Sequence, residues 1–277
     1  MKRIAIQGIR GSFHDIAAHL FFRGEELELV CCNSFEELFE RMANEKGLIG
    51  VAAIENTIAG SLLHNYELLR RSGMVVVGEQ KLHIEHSLLC LPEDDMDSLT
   101  EVNSHPVAFM QCREYLSLHK NLRVVESYDT AGAAADIASK GLLGHAAICH
   151  ADAAEIYGLK VLEHAIEDNK HNFTRFLIVS RSEEAKAMLG DTNKASLVFS
   201  LPHNAGSLSQ VLSIFNFYNI NLTKIQSLPI IGHEWEYLFY VDLTYNDFQR
   251  YKQSIEAVRP LTKEMRILGE YKESTTA

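Results

Sequence analysis

Residues 2–24 read KRIAIQGIRGSFHDIAAHLFFRG, and their order decides the fold class. Lys2 to Gln7 carries the short apolar run of a buried strand. Gly8-Ile9-Arg10-Gly11-Ser12 is turn chemistry, and beyond it Phe13, Ile16, Ala17, Leu20 and Phe21 fall on one helical face. Ser12 with Asp15 three places later has capping-box character, and Gly24 closes the helix. The same strand, turn and helix order recurs in Leu27 to Cys32, in the helix opened by Ser34-x-x-Glu37 and running to Asn44, and in the apolar run Leu48 to Ile54. Continuous apolar strands alternating with amphipathic helices predict an α/β fold with a mostly parallel sheet covered on both faces.

Working outward, the pattern predicts a helix from Leu62 to Arg71, strands Met74 to Val77 and Leu88 to Leu91, and a break at Pro92-Glu93-Asp94-Asp95. A second set of units follows: helix Ala108 to Leu118, strand Arg123 to Glu126, helix Thr130 to Ser139, strand Ala146 to Cys149 and helix Ala151 to Tyr157. Two α/β lobes with a cleft between them are expected over residues 1–182, with Phe176 to Val179 as a last strand. Residues 183–194 are charged and small and read as a linker. Over residues 195–277 the strands Ala195 to Leu201, Asn221 to Ser227, Tyr237 to Leu243 and Thr262 to Leu268 alternate with helices Ser207 to Tyr218 and Asp247 to Val258. That β-α-β-β-α-β order is the ferredoxin-like arrangement.

Composition narrows the function. At 277 residues the chain holds about two domains of typical size. Its 26 basic against 37 acidic residues give a net charge of -11, and no basic run could track phosphates, so nucleic acid is an unsuitable partner. No apolar stretch approaches the ~20 residues of a membrane span. Met1-Lys2-Arg3 leads straight into a strand rather than a secretory signal, so a cytoplasmic protein is expected. The five cysteines are scattered, with two adjacent, and read as reduced thiols. C-x-x-C spacing is absent, and His83-Ile84-Glu85-His86 offers two ring nitrogens only, so no metal is expected.

Four constellations carry candidate chemistry. The Gly11-Ser12 turn presents backbone N–H groups at a helix start, where anions bind. Neither G-x-G-x-x-G nor a phosphate loop is present, so the anion is a small carboxylate, unless the turn simply needs glycine. Glu55-Asn56-Thr57 ends an apolar strand, the usual place for ligand residues in an open α/β sheet. Ser104-His105-Pro106 ends another, with Gln111 on the helix that follows. A Ser/His hydrolase is rejected, because strand neighbours point to opposite sides and no G-x-S-x-G elbow exists. In Asn172-Phe173-Thr174-Arg175-Phe176 two aromatics flank a hydroxyl and a guanidinium, and Arg175 reads as the counterion of an anionic substrate.

Together these fragments resemble prephenate dehydratase across nearly the whole chain. The resemblance rests on Ile54 to Gly60, Ser104 to Cys112, Tyr157 to Leu162 and, as the most specific signature, Asn172 to Phe176. It implies a two-lobed periplasmic-binding-protein-like catalytic domain and a C-terminal ACT domain that binds phenylalanine. It also implies a homodimer or homotetramer, no cofactor, and conversion of prephenate to phenylpyruvate. Thr174 would then be the donor to the departing hydroxyl, with Glu55 as the proton source should burial raise its pKa. Arg175, Gly11 and Ser12 would hold carboxylate; Asn56, Ser104, Gln111, Thr130, Asn172 and Phe176 would surround the ring.

The chain departs from the family pattern at named places. Ala205-Gly206-Ser207-Leu208, after Asn204, replaces Pro-Gly-Ala-Leu, and Gln226-Ser227-Leu228-Pro229 replaces Glu-Ser-Arg-Pro, so the expected effector site loses two charges. His14 stands for a small hydroxyl residue and Ala53 for a proline. Arogenate dehydratase remains an alternative, as does a sensor without catalysis; a sensor has no use for the leaving-group donor Thr174.

Overall fold

The computed structural model describes residues 1–274 except 187, 189, 231, 233 and 234. The chain opens with β1 (Lys2–Gln7), α1 (Phe13–Phe21), β2 (Leu27–Cys32), α2 (Phe35–Asn44), β3 (Leu48–Asn56), β4 (Gly60–Ser61), α3 (Leu63–Ser72) and β5 (Val75–His83). The caps form as expected: Ser12 Oγ accepts from the Asp15 N–H and Ser34 Oγ from the Glu37 N–H. A second lobe follows with β6 (Ser87–Cys90), β7 (Glu101–Ser104), α4 (Pro106–Gln111), α5 (Arg113–Leu118), β8 (Arg123–Glu126), α6 (Thr130–Lys140), β9 (His145–Cys149), α7 (Asp152–Tyr157) and β10 (Lys160–Glu163). Its sheet runs β10-β6-β9-β7-β8.

The chain then returns. β11 (Phe173–Ser180) inserts between β3 and β5, so the first sheet runs β2-β1-β3-β11-β5. β1 is parallel to β2 and β3, but β11 is antiparallel to both of its neighbours. The expected mostly parallel sheet is therefore a mixed one, because an all-buried apolar run reads the same in either direction. The helix expected over 108–118 is two helices. The Asp168 carboxylate accepts the Arg113 and Glu114 N–H groups at 3.0 Å each and so starts α5 afresh.

After α8 (Ser182–Ala185) come β12 (Lys194–Ser200), α9 (Ser207–Phe217), β13 (Asn221–Pro229), β14 (Tyr237–Thr244), α10 (Phe248–Val258) and β15 (Glu264–Tyr271). Their antiparallel sheet, β13-β14-β12-β15, has the ferredoxin-like order. Its outer face packs on the first lobe, where Val198, Tyr240, Leu268 and Tyr271 share one apolar cluster with Leu69, Val76 and Leu177. Gly269 makes that approach possible, since a Cβ there would stand 2.2 Å from the Val76 carbonyl oxygen. No helix among the described residues is long and apolar enough to cross a membrane.

Candidate active site

Helix starts and strand ends converge between the lobes on a cavity of about 260 Å³. α1 brings Ser12, Phe13 and His14, α6 brings Asp129 and Thr130, and the α4 segment brings His105 and Gln111. From the sheet of the first lobe come Asn56 at the end of β3 and Thr174 and Phe176 on β11; His86 lies where the chain crosses between lobes. Among the described residues no lysine or arginine lines this cavity. An anion inside it meets neutral hydrogen-bond donors, while the N-termini of α1 and α6 are already met by the carboxyl groups of Asp15 and Asp129.

One chain of hydrogen bonds crosses the site, and its polarity is fixed from one end. The Ile58 and Ala59 N–H groups both donate to Asn56 Oδ1 at 2.9 Å, which turns the Asn56 amide nitrogen inward. That nitrogen donates over its two shortest contacts to Asn172 Oδ1 at 2.7 Å and to Thr174 Oγ1 at 2.9 Å, with the Phe173 carbonyl as a longer third contact at 3.2 Å. Asn172 Nδ2 must then donate to Gln111 Oε1, at 3.1 Å, and the same oxygen accepts from His86 Nε2 at 2.8 Å. The Thr174 oxygen already has its donor, so its own proton is free to be donated into the cavity. His86 carries its hydrogen on Nε2, and Nδ1 is left as a buried lone pair with no partner among the described residues.

Of the residues expected at the site, Thr174, Asn56, Gln111, Thr130, Ser12 and Phe176 line the cavity. Five do not. Arg175 follows Thr174 along β11 and so faces the opposite side, as the two-residue period of a strand dictates. There its guanidinium meets Glu55 at 2.8 Å, Glu79 at 3.0 Å, Asp242 at 2.5 Å and Tyr66 at 3.3 Å. Gly11 gives its N–H to Asp15 Oδ2 at 2.7 Å, so the anion at that turn is the chain's own carboxylate. Ser104 is sealed in the core and donates to the Ile148 carbonyl at 2.5 Å. Asn172 is fully buried and acts on the cavity only through Asn56 and Gln111.

Glu55 is the fifth. It borders a separate recess with Lys81, Ser61 and Arg175, which Thr174 and Asn56 also touch from the other side. Burial alone would raise its pKa, but the charges of Arg175 and Lys224 outweigh that and hold its carboxyl below the usual range. It is therefore ionised at neutral pH, the reverse of the proton source expected. Arg175, Lys194 and Lys224 face Glu55, Glu79 and Asp242 in one charge-balanced cluster between the first lobe and the C-terminal sheet.

Two cavity residues are not among those expected from the sequence: His86, which belongs to the His83-Ile84-Glu85-His86 run, and Asp129, the N-cap of α6. Burial lowers the pKa of His86, and it raises that of Asp129 against the opposing Gly132 and Ala131 N–H bonds. The signal for Asp129 was present, since Asp before Thr-Ala-Gly is a helix start. At the far end of the molecule Asn204, Ser207 and Leu208 line a pocket of about 120 Å³ with His203, Trp235, Tyr237 and Phe239. Ala205 and Gly206 stand exposed at its rim, while Gln226, Ser227 and Leu228 lie along β13 outside its lining.

Comparison with known proteins gives the wider setting. The sequence model of the family described as prephenate dehydratase matches residues 4–184. Arogenate dehydratase/prephenate dehydratase 2 of Arabidopsis thaliana, chloroplastic, is 36% identical over 289 residues, covering 99% of this chain and 74% of that protein. A solved structure described as GqqA, a novel type of quorum quenching acylases, superposes with a TM-score of 0.87 at 27% identity, covering 99% of this chain and 98% of that one. The fold is shared too with prephenate dehydratase of Arthrobacter aurescens in complex with L-Phe, at a TM-score of 0.86 and 24% identity over 99% of this chain and 93% of that one.

Proposed function

Given that the chain belongs to the prephenate dehydratase family, we propose that it is a lyase converting prephenate to phenylpyruvate in the cavity between its lobes. The ring carboxylate leaves as carbon dioxide, and the electron pair of its C–C bond enters the ring. At the other end the C–O bond breaks, and hydroxide departs with the C–O electron pair, hydrogen-bonded to Thr174, and takes up a proton from solvent to become water. Aromaticity drives the step, and the balance needs no oxidant, reductant or cofactor. The observation that carries this reading is the Thr174 hydroxyl, which the Asn56 amide leaves as a donor into a cavity without a cationic side chain. A donor aimed at the departing oxygen stabilises charge that appears only in the transition state. A fixed cation on the departing carboxylate would instead favour the ground state, because that charge is moving into the ring.

An acyl-transfer reading would need a hydroxyl bonded to a base. Ser12 Oγ accepts from the Asp15 N–H and Thr174 Oγ1 from Asn56, and among the described residues neither is bonded to a histidine. We assign residues 1–182 to catalysis, 183–194 to a linker that includes two positions outside the described residues, and 195–277 to an ACT regulatory domain of a cytoplasmic homo-oligomer. Phenylalanine is its effector, held in the aromatic pocket of Trp235, Tyr237 and Phe239. Mixing the purified chain with prephenate tests the function. Phenylpyruvate absorbance in alkali supports it. Turnover of arogenate to phenylalanine, with prephenate inert, would move the chain to the other substrate.

A further inference from the structure

Two departures from the family pattern, His14 and Ala53, meet in one hydrogen bond. The Ala53 N–H donates to His14 Nε2 at 3.3 Å, and the Ala53 carbonyl accepts from Asn65 Nδ2 at 2.7 Å. β1 pairs with β3 only as far as Val51, so at Ala53 the edge of β3 that faced β1 is met by side chains, while its other edge stays paired with β11. A backbone N–H can only donate, which makes Nε2 the bare nitrogen of the ring and puts the hydrogen on Nδ1. That nitrogen has no partner among the described residues and is not one of the sealed, unpaired atoms of the interior. The ring itself lines the cavity, edge-on to Phe176 at 4.9 Å between centroids.

We propose that His14 is a substrate-binding residue whose Nδ1–H donates to a carboxylate or carbonyl oxygen of the substrate, while the Ala53 N–H holds the ring from behind. The proposal rests on the dehydratase reading and names one contact within it. Burial pushes the pKa of the ring down to about 3, so the donor is neutral at working pH and adds no fixed cation to the cavity.

Two variants separate the two nitrogens, because an asparagine amide reaches the position of Nδ1 and a glutamine amide that of Nε2. His14→Gln keeps an acceptor for Ala53 at the place of Nε2 and leaves no donor at the place of Nδ1. Its melting temperature is expected to stay within a few degrees of wild type and its KM to rise about tenfold, with kcat little changed. His14→Asn keeps the donor and orphans the Ala53 N–H. Its KM is expected to stay within about threefold while its melting temperature falls, and adding Ala53→Pro, which deletes that N–H, restores the melting temperature. An unchanged KM in His14→Gln, or an equal rise in both variants, overturns the proposal. Should either variant fail to fold, a structure of the wild-type chain with phenylpyruvate decides: His14 within about 3.2 Å of a ligand oxygen supports the contact, and a ring facing no ligand oxygen overturns it. Wild-type protein inert toward both prephenate and arogenate removes the functional reading as well, whereas an active wild type with an unaltered Gln variant removes only the role of His14.

Discussion

Asn56 orders the site although it does no chemistry itself. Its oxygen is held by two backbone donors and its nitrogen faces Asn172 and Thr174, so the direction of every hydrogen bond beyond it is settled. Asn56→Asp keeps the acceptor for Ile58 and Ala59 but has no N–H to give. The Thr174 hydroxyl then turns toward the carboxylate and away from the cavity. We expect kcat to fall about 10²-fold with the fold retained, as for the loss of one preorganised donor; a rate within about threefold of wild type contradicts this. Asn56, Gln111 and Thr174 were legible because polar side chains beside apolar strands are costly unless used. Arg175 does not share the site with Thr174 because adjacency along the chain is not adjacency in space: the strand period places the two on opposite faces. The covering of the second face of β11 by Asp242, far along the sequence, had no local signal.

β11 is thus one strand serving two regions. Its Thr174 and Phe176 line the cavity, and Arg175 between them binds the C-terminal sheet through Asp242. Removing the guanidinium leaves Glu55, Glu79 and Asp242 with two lysines, and breaking a buried pair typically costs about 3–5 kcal/mol. Arg175→Leu is therefore expected to lower unfolding stability by about that amount in a denaturant titration; a loss below about 1 kcal/mol would show that the cluster relaxes without it. The strands of the C-terminal sheet were readable within a residue or three, since alternation and turns are local signals. The split of the 108–118 helix was not readable, because the cap that causes it comes from Asp168 across the loop. Nor was the antiparallel setting of β11, which depends on which lobe the chain leaves before entering the sheet.

Across the whole molecule, buried neutral histidines make the fold acid-sensitive. His14 is lowered to about 3 and His86 is lowered as well, both by burial first. The unfolded chain takes up these protons below about pH 6.5 while the folded chain refuses them, so their contribution is full above that pH and is lost as pH falls toward the folded value. Glu55, also depressed, acts in the same direction at lower pH: its contribution is present above about pH 4.3 and is lost as pH drops through its folded pKa. Melting temperature is expected to fall steadily from pH 7 to pH 4, and His14→Gln to show a flatter profile; a flat wild-type profile contradicts the buried neutral histidines. The chain has a single tryptophan, and Trp235 stands in the wall of the C-terminal pocket, so phenylalanine titration is expected to change its fluorescence saturably. An unresponsive signal, together with no heat of binding by calorimetry, would remove phenylalanine as the effector. The claim on which the whole account turns is the Thr174 hydroxyl as donor to the departing oxygen, and it is tested most directly by the turnover of saturating prephenate by Thr174→Val beside the wild-type chain. The kcat of Thr174→Val is expected to be lower by about 10²- to 10³-fold with KM changed little; a variant that turns over at a near-normal rate contradicts that role.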